Sequence, residues 1–251
     1  MIDMLSIKNI TVAYGRNKVI DNLSLDFEKG KLYGIIGPNG AGKSSLLNAI
    51  SKDLKPSSGN IELEGQCIHA YAPREYAKKL SYMRQRTDVK FPYTVLELVS
   101  MGRYAYEGNR KGSRRDFEEV VYQRIEENDL SNYIHKPVTE MSGGEVQRTF
   151  FAKVLAQDSD IILVDEGLSN ADIFHKVKFF DQLKEEVKKG KLVIMVLHDL
   201  FLARRFCDEL VILNKEGIYG AGKSDEVLNR QALNDVFKVQ GDFVDNALIL
   251  E

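Results

Sequence analysis

The sequence predicts an α/β fold: an open, largely parallel sheet, preceded by an antiparallel β segment and interrupted by a helical insert. Three observations carry this. Short apolar runs alternate with amphipathic stretches over most of the chain, the pattern of a parallel sheet covered by helices. Between about 89 and 155 strand signals vanish and helical periodicity takes over. Four apolar runs stop at polar groups: Ile36 at a glycine-rich turn, Met83 close to Gln85, Val164 at Asp165-Glu166, and Leu197 at His198. In an open parallel sheet ligands sit beyond the carboxyl ends of the strands. The four termini are therefore expected at one edge, around one ligand.

The elements follow in order. Leu5 to Tyr14 and Val19 to Phe27 alternate apolar and polar, with turns at Gly15-Arg16-Asn17 and Glu28-Lys29-Gly30, as antiparallel strands do. Leu32 to Ile36 is a buried strand, and a helix from Ser45 to Ile50 places Leu46, Leu47 and Ile50 on one side. Asn60 to Leu63 is a short strand closed by Glu64-Gly65. Pro73 to Lys79 is a helix opened by its proline, and Leu80 to Met83 a strand. In the insert, Val95, Leu98 and Val99 share one helical face, and Phe117, Val120, Val121 and Ile125 another. Arg103 to Arg115 is polar and basic and predicts a loop. A third helix starts at Ser142 with Val146, Phe150, Phe151, Val154 and Leu155 inward. Then come a strand at Ile161 to Val164 and a helix at Ile173 to Val187, with Phe174, Val177, Phe180, Leu183 and Val187 inward. A strand at Leu192 to Leu197, a helix from Asp199, and a strand at Leu210 to Leu213 follow. The tail predicts a last β pair, a helix at Asp225 to Phe237 and a weak strand at Phe243 to Leu250.

Gly37 to Ser45 spells GPNGAGKSS and fits G-x-x-x-x-G-K-[ST] between a strand and a helix. Such a turn lets backbone N–H groups close around a phosphate, and the helix N-terminus adds partial positive charge. Gly37, Asn39, Gly40, Ala41, Gly42, Lys43, Ser44 and Ser45 are the candidate nucleotide-binding residues. Lys43 would reach the β and γ phosphates, and the Ser44 hydroxyl would ligate Mg²⁺.

Asp165 closes an apolar run, where a Mg²⁺-holding carboxylate belongs, and Glu166 suits the orientation and deprotonation of water. Met141-Ser142-Gly143-Gly144-Glu145 opens a helix with a capping serine and a glutamate three residues on. It is either a capped helix alone or a second anion site built on Ser142, Gly143 and Gly144. One nucleotide does not easily use two such sites from one chain; a dimer solves this if Ser142 of one copy covers the phosphate held by Lys43 of the other. Tyr14 either packs at a strand end or stacks on a base. Gln85 and His198 carry little signal alone, and His69, His135 and His175 are expected to be structural or surface residues. The basic cluster Lys111, Arg114 and Arg115 is expected to be a solvated loop.

Composition bounds the rest. The chain has 251 residues, 43% apolar and 29% charged, with formal net charge -2, so no global basic field points to nucleic acid. Cys67 and Cys207 have no metal-ligand spacing and are expected to be reduced thiols. No charged-then-apolar leader is seen, and apolar runs are strand-sized, well short of the ~20 residues that span a bilayer.

Over essentially its whole length the sequence resembles the ATP-binding cassette (ABC) ATPases. The order Tyr14, GPNGAGKSS, Gln85, MSGGE, IILVDE and His198 is similar to that family's aromatic loop, Walker A, Q-loop, signature, Walker B and switch histidine. The resemblance implies a P-loop NTPase (RecA-like) core with an N-terminal antiparallel β subdomain and a helical subdomain insert. It forms a single domain, with core 1–88 and 156–251 and helical subdomain about 89–155. It implies ATP and Mg²⁺ as ligands, with Lys43, Gln85, Glu166 and His198 catalytic and Ser44, Gln85 and Asp165 at the metal. Tyr14 would stack on adenine, His198 would contact the γ-phosphate, and Ser142, Gly143 and Gly144 would act across a head-to-tail homodimer. Asp172 would communicate across that dimer.

The stretch Thr94 to Tyr104 resembles the TVxELVxxGR segment of ATPases that power iron-siderophore, haem and cobalamin importers. That implies a membrane permease, a periplasmic or lipoprotein substrate-binding protein, and a peripheral position on the cytoplasmic face of the membrane. The alternatives are a zinc or manganese importer ATPase and a soluble non-transport ABC ATPase. Three departures stand out: Gly167 replaces the family's proline, Leu168 a threonine and Ala171 a leucine. Gly167 is expected to loosen the turn that holds Glu166.

Overall fold

The computed structural model describes residues 4–85, 91–107, 114–167, 172–244 and 247–250. In chain order the elements are β1 (Leu5–Tyr14), β2 (Asn17–Phe27), β3 (Leu32–Ile36), α1 (Lys43–Ile50), β4 (Ser58–Leu63), β5 (Gln66–Cys67), α2 (Pro73–Lys79) and β6 (Leu80–Met83). There follow α3 (Val95–Ser100), α4 (Arg114–Glu127), α5 (Gly143–Ala156), β7 (Ile161–Asp165), α6 (Ile173–Lys188) and β8 (Leu192–Val196). The chain closes with α7 (Leu200–Phe206), β9 (Glu209–Asn214), β10 (Gly217–Lys223), α8 (Ser224–Val227), α9 (Arg230–Asp235), β11 (Gly241–Val244) and β12 (Ala247–Leu250). The chain divides into two compact units, Met1–Tyr71 with Phe180–Glu251, and Ala72–Phe179.

In the first unit β1 pairs antiparallel with both β2 and β4, and β4 with β5, in the order β2-β1-β4-β5. A separate set of strands is parallel: β3 pairs with β8 and with β9, and β10 returns antiparallel along β9. Every residue of β3 and of β8 is buried, as in strands covered on both faces. The ring of Phe180, on α6, stacks on that of Phe206, on α7, at 4.3 Å.

The second unit holds the parallel pair β6 and β7, in register from Leu80 with Ile161 to Met83 with Val164. Its helices meet through Val95 and Val99 of α3, Val121 and Ile125 of α4, and Ala152 and Ala156 of α5. Thr94 opens α3 with a capping box. Its hydroxyl accepts from the Glu97 N–H at 3.2 Å, and the Glu97 carboxylate accepts from the Thr94 N–H at 2.8 Å.

Four sequence expectations need correction. Phe174 and Val177 are exposed, 66% and 39%, and the buried side of α6 is carried by Phe179, Phe180 and Leu183. At about 100° per residue, three successive steps of three rotate by about 180° from Phe174 to Leu183, so one stripe cannot hold both. The tail is two short helices, because Asn229 leaves the helical conformation and its side chain caps α9 through the Ala232 N–H. A hairpin of β11 and β12 follows in place of one weak strand. The expected loop from Arg103 is partly ordered: Met101–Tyr106 is a 3-10 helix and Arg114 begins α4, while Lys111 lies outside the described residues.

Backbone and hydroxyl donors of Thr94 hold the Glu97 carboxyl below its usual range, the backbone bond first. A depressed carboxyl stabilises the fold above its unfolded pKa and loses that contribution as pH falls through the folded value. The melting-temperature gap between the parent and Glu97→Ala should therefore be widest near neutrality and shrink on acidification, read by circular dichroism at a series of pH values.

Candidate functional site

The glycine turn stands between β3 and α1 of the first unit. Gly37 has φ 147, and a Cβ there would lie 2.0 Å from the Leu213 carbonyl oxygen of β9. Gly42 caps α1 with φ 91, and a Cβ there would meet the Ile20 side chain at 2.8 Å. Both glycines are thus required by conformation and by close approach. Lys43, 6% exposed, turns its ammonium back into the loop and donates to the carbonyls of Gly37 at 2.8 Å and Pro38 at 3.0 Å. Ala41 and Ser45 are buried, while Asn39 and Gly40 stand exposed at the loop's tip.

Tyr14 ends β1 with its ring half exposed, and its hydroxyl shares a hydrogen bond of 3.3 Å with the Ser45 hydroxyl. One edge of the ring is anchored and the face stays open, which suits stacking. His198 lies just beyond β8, exposed, next to Asp199, which caps α7 through the Leu202 N–H. Because β3 and β8 are parallel and in register from Leu32 with Val193 to Ile35 with Val196, their carboxyl ends share one edge.

The second unit repeats this logic with β6 and β7. Their carboxyl ends bring Gln85 to Glu166: the Gln85 amide donates to the Glu166 carboxylate at 2.5 Å. Asp165, 4% exposed, ends β7 and accepts from the Tyr82 hydroxyl at 3.5 Å. Glu166 has φ 53, a left-handed conformation that a non-glycine residue holds at a cost. That change of direction brings both carboxylates out at the strand end, where a continued strand would send them to opposite faces. Gly167 is buried, and a Cβ there would lie 3.0 Å from Val164 Cγ1 and 3.1 Å from Met83 Sδ. The turn is packed closely onto β6 and β7 and is not slack. Glycine fits it, and a proline would push the preceding Glu166 out of the left-handed region. Leu168 and Ala171 lie outside the described residues.

Ser142 caps α5. Its hydroxyl accepts from the Glu145 N–H at 3.4 Å and its N–H donates to the Glu145 carboxylate at 2.8 Å. That bond is the first cause holding the Glu145 carboxyl below its usual range. No Cβ at Gly144 would meet an atom within 4 Å, so this helix end is open to an approaching anion. His175, expected to be a structural or surface residue, contacts both Asp172 and Arg148. The spacing of Asp172 and His175 at i and i+3 on a helix start was the available signal.

In the first unit the glycine turn, the helix N-terminus and Lys43 present donors and positive charge that suit phosphate groups, and the Ser44 hydroxyl is an oxygen ligand of the kind Mg²⁺ takes. In the second unit the Asp165 carboxylate is another oxygen of that kind. A strand, a glycine turn with an invariant spacing to lysine, and a helix define a P-loop nucleotide-binding protein. The profile of the ABC transporter family matches residues 20–169, and the chain belongs to that family.

The chain is 36% identical over 237 residues to the petrobactin import ATP-binding protein of Bacillus anthracis, covering 94% of this chain and 87% of that one. It is 37% identical over 238 residues to the hemin import ATP-binding protein of Rhodopseudomonas palustris, covering 92% and 86%. Among solved structures, a dimeric ATP-binding cassette in a post-hydrolysis state with ADP and Pi superposes with a TM-score of 0.79. It is 26% identical, covering 88% of this chain and 99% of that one. ATP binding and hydrolysis are accordingly this chain's class of activity.

The strain at Glu166 has a measurable consequence. Glu166→Gly should be more stable than Glu166→Ala by about 1 kcal/mol, since only glycine adopts positive φ without steric cost. Urea unfolding of the two variants reads the difference, and the reverse order would mean that the left-handed turn is absent.

Proposed function

We propose that the chain is the ATPase subunit of a bacterial importer for metal chelates of the iron-siderophore, haem or cobalamin class. The observation that carries this is the agreement between the Thr94–Tyr104 segment, which builds α3 and the turn after it, and relatives named for petrobactin and hemin import. Two copies bind two copies of a membrane permease, and a separate periplasmic or lipoprotein substrate-binding protein delivers the cargo. Residues about 89–155 form the helical subdomain that docks on the permease. The permease holds the chain at the cytoplasmic face; among the described residues no helix is long and apolar enough to cross a membrane.

ATP enters with its adenine on Tyr14 and its phosphates in the turn from Gly37 to Ser45. Lys43 exchanges the Gly37 and Pro38 carbonyls for β- and γ-phosphate oxygens, which are stronger acceptors for an ammonium. Ser44, Gln85 and Asp165 would hold Mg²⁺, which supplies charge neutralisation on the phosphate oxygens.

Glu166 orients the attacking water and takes its proton as the water oxygen bonds to the γ-phosphorus and the bond to the ADP oxygen breaks. His198 contacts the γ-phosphate. Ser142, Gly143 and Gly144 of one copy reach the γ-phosphate held by Lys43 of the other, so ATP closes the homodimer and hydrolysis reopens it.

Two experiments test this. Glu166→Gln should lower ATP turnover by about 10²-fold or more and leave an ATP-dependent dimer visible by light scattering; unchanged turnover would remove Glu166 from its role. Affinity capture of the tagged chain from detergent-solubilised membranes should bring down a multispan permease with a chelate-binding protein. Recovery of a soluble assembly protein instead would keep the ATPase and overturn the importer.

A further inference from the structure

The first turn of α6 carries a polar relay that the proposed mechanism does not use. Arg148 Nη1 stands 3.2 Å from His175 Nε2, and His175 Nδ1 stands 2.9 Å from Asp172 Oδ1. The same Asp172 oxygen accepts the His175 backbone N–H at 2.9 Å. A guanidinium only donates, so Nε2 must be the acceptor. The imidazole proton therefore lies on Nδ1 and is donated to Asp172. Asp172 caps α6 and is held below the usual carboxylate range, first by the His175 backbone N–H and then by the His175 ring.

The three residues join two elements that are separate in sequence. Arg148 lies in the second turn of α5, the helix whose N-terminus is Ser142, Gly143 and Gly144. Asp172 and His175 lie at the start of α6. The relay is not buried: His175 is 26% exposed and Asp172 64%. Ion pairs and polar contacts at such exposure add little to folding. What they do set is orientation, since each bond has one donor and one acceptor and the ring between them is rigid. Ile173 and Phe174, exposed beside Asp172, give the same surface an apolar component, as a surface that meets a second copy would have.

We infer that His175 is a positioning residue for ATP hydrolysis: through Arg148 and Asp172 it locks the Ser142 helix and the Asp172 turn into one rigid element presented to the second copy. This rests on the proposed dimeric function. His175 touches neither nucleotide nor water in this scheme and acts through the residues it aligns.

The test separates the two bonds. In His175→Asn the amide nitrogen takes the place of Nδ1 and keeps the Asp172 bond alone. In His175→Gln the amide oxygen takes the place of Nε2 and keeps the Arg148 bond alone. His175→Phe keeps the ring and loses both. Steady-state ATP hydrolysis should show kcat lowered about tenfold in His175→Phe, with KM for ATP within about twofold of the parent. The Asn and Gln variants should each recover only part of the loss.

Arg148→Ala with His175→Phe should be no worse than His175→Phe alone, because the Arg148 bond is already lost there. The ATP concentration needed to dimerise the Glu166→Gln chain should rise on adding His175→Phe. Parent-like kcat in His175→Phe, or strictly additive losses with Arg148→Ala, would overturn the inference. So would a loss matched by an equal rise in KM. A parent chain without ATP hydrolysis would overturn the proposed function and this inference together, whereas a silent His175→Phe in an active chain overturns the inference alone. Should His175→Phe fail to fold, the Asn and Gln variants, each lacking one of the two bonds, carry the comparison, and parent-like kcat in both would overturn the inference.

Discussion

The ammonium of Lys43, buried in the glycine turn and held on the carbonyls of Gly37 and Pro38, is the contact on which the turn depends. A buried cation needs polar partners at short range. The loop can supply them only because Gly37 lets the backbone run against the Leu213 carbonyl and Gly42 lets it turn into α1. The strand before the turn is buried along its whole length, so the loop is anchored at one end by a rigid sheet and at the other by a helix. The positive charge is thus held at the turn by short-range backbone acceptors.

In the second unit the end of β7 combines a buried carboxylate, Asp165, with backbone strain at the residue after it. Glu166 sits in a left-handed conformation, and Gly167 behind it is packed against Val164 and Met83. Strain of this kind persists where surrounding structure over-determines it. Here the parallel pair of β6 and β7 fixes the strand that leads into it, and the Gln85 amide holds the carboxylate. The glycine that replaces the family's proline therefore has a structural correlate: it permits a backbone direction at Glu166 that a following proline disfavours.

The helix that begins at Ser142 is ordered at its start and held from the side. Its capping box orders the N-terminal turn, its buried side packs into the core of the second unit, and Arg148 on it reaches His175. A helix with an ordered N-terminus and a fixed lateral contact can present its backbone N–H groups in one direction. That property is what an anion site contributed to a second copy would require.

Local chemistry made much of this legible in the sequence. The strand, glycine turn and helix around Lys43, the capping boxes at Thr94 and Ser142, and the helical faces of α3 and α5 each depend on residues within a few positions of one another. So the fold class, the glycine turn between β3 and α1 and the strand that runs to Asp165 were predicted at the right places. Only the tertiary structure decided the pairing of Gln85 with Glu166, 81 positions apart, of Tyr14 with Ser45, 31 apart, and of Arg148 with His175, 27 apart. It also decided which side of α6 is buried, where the tail helix breaks, and the left-handed turn at Glu166. The physical reason is common to all: propensity and periodicity constrain a residue through its near neighbours, whereas burial, backbone strain and long-range hydrogen bonds are set by where distant strands and helices place their ends.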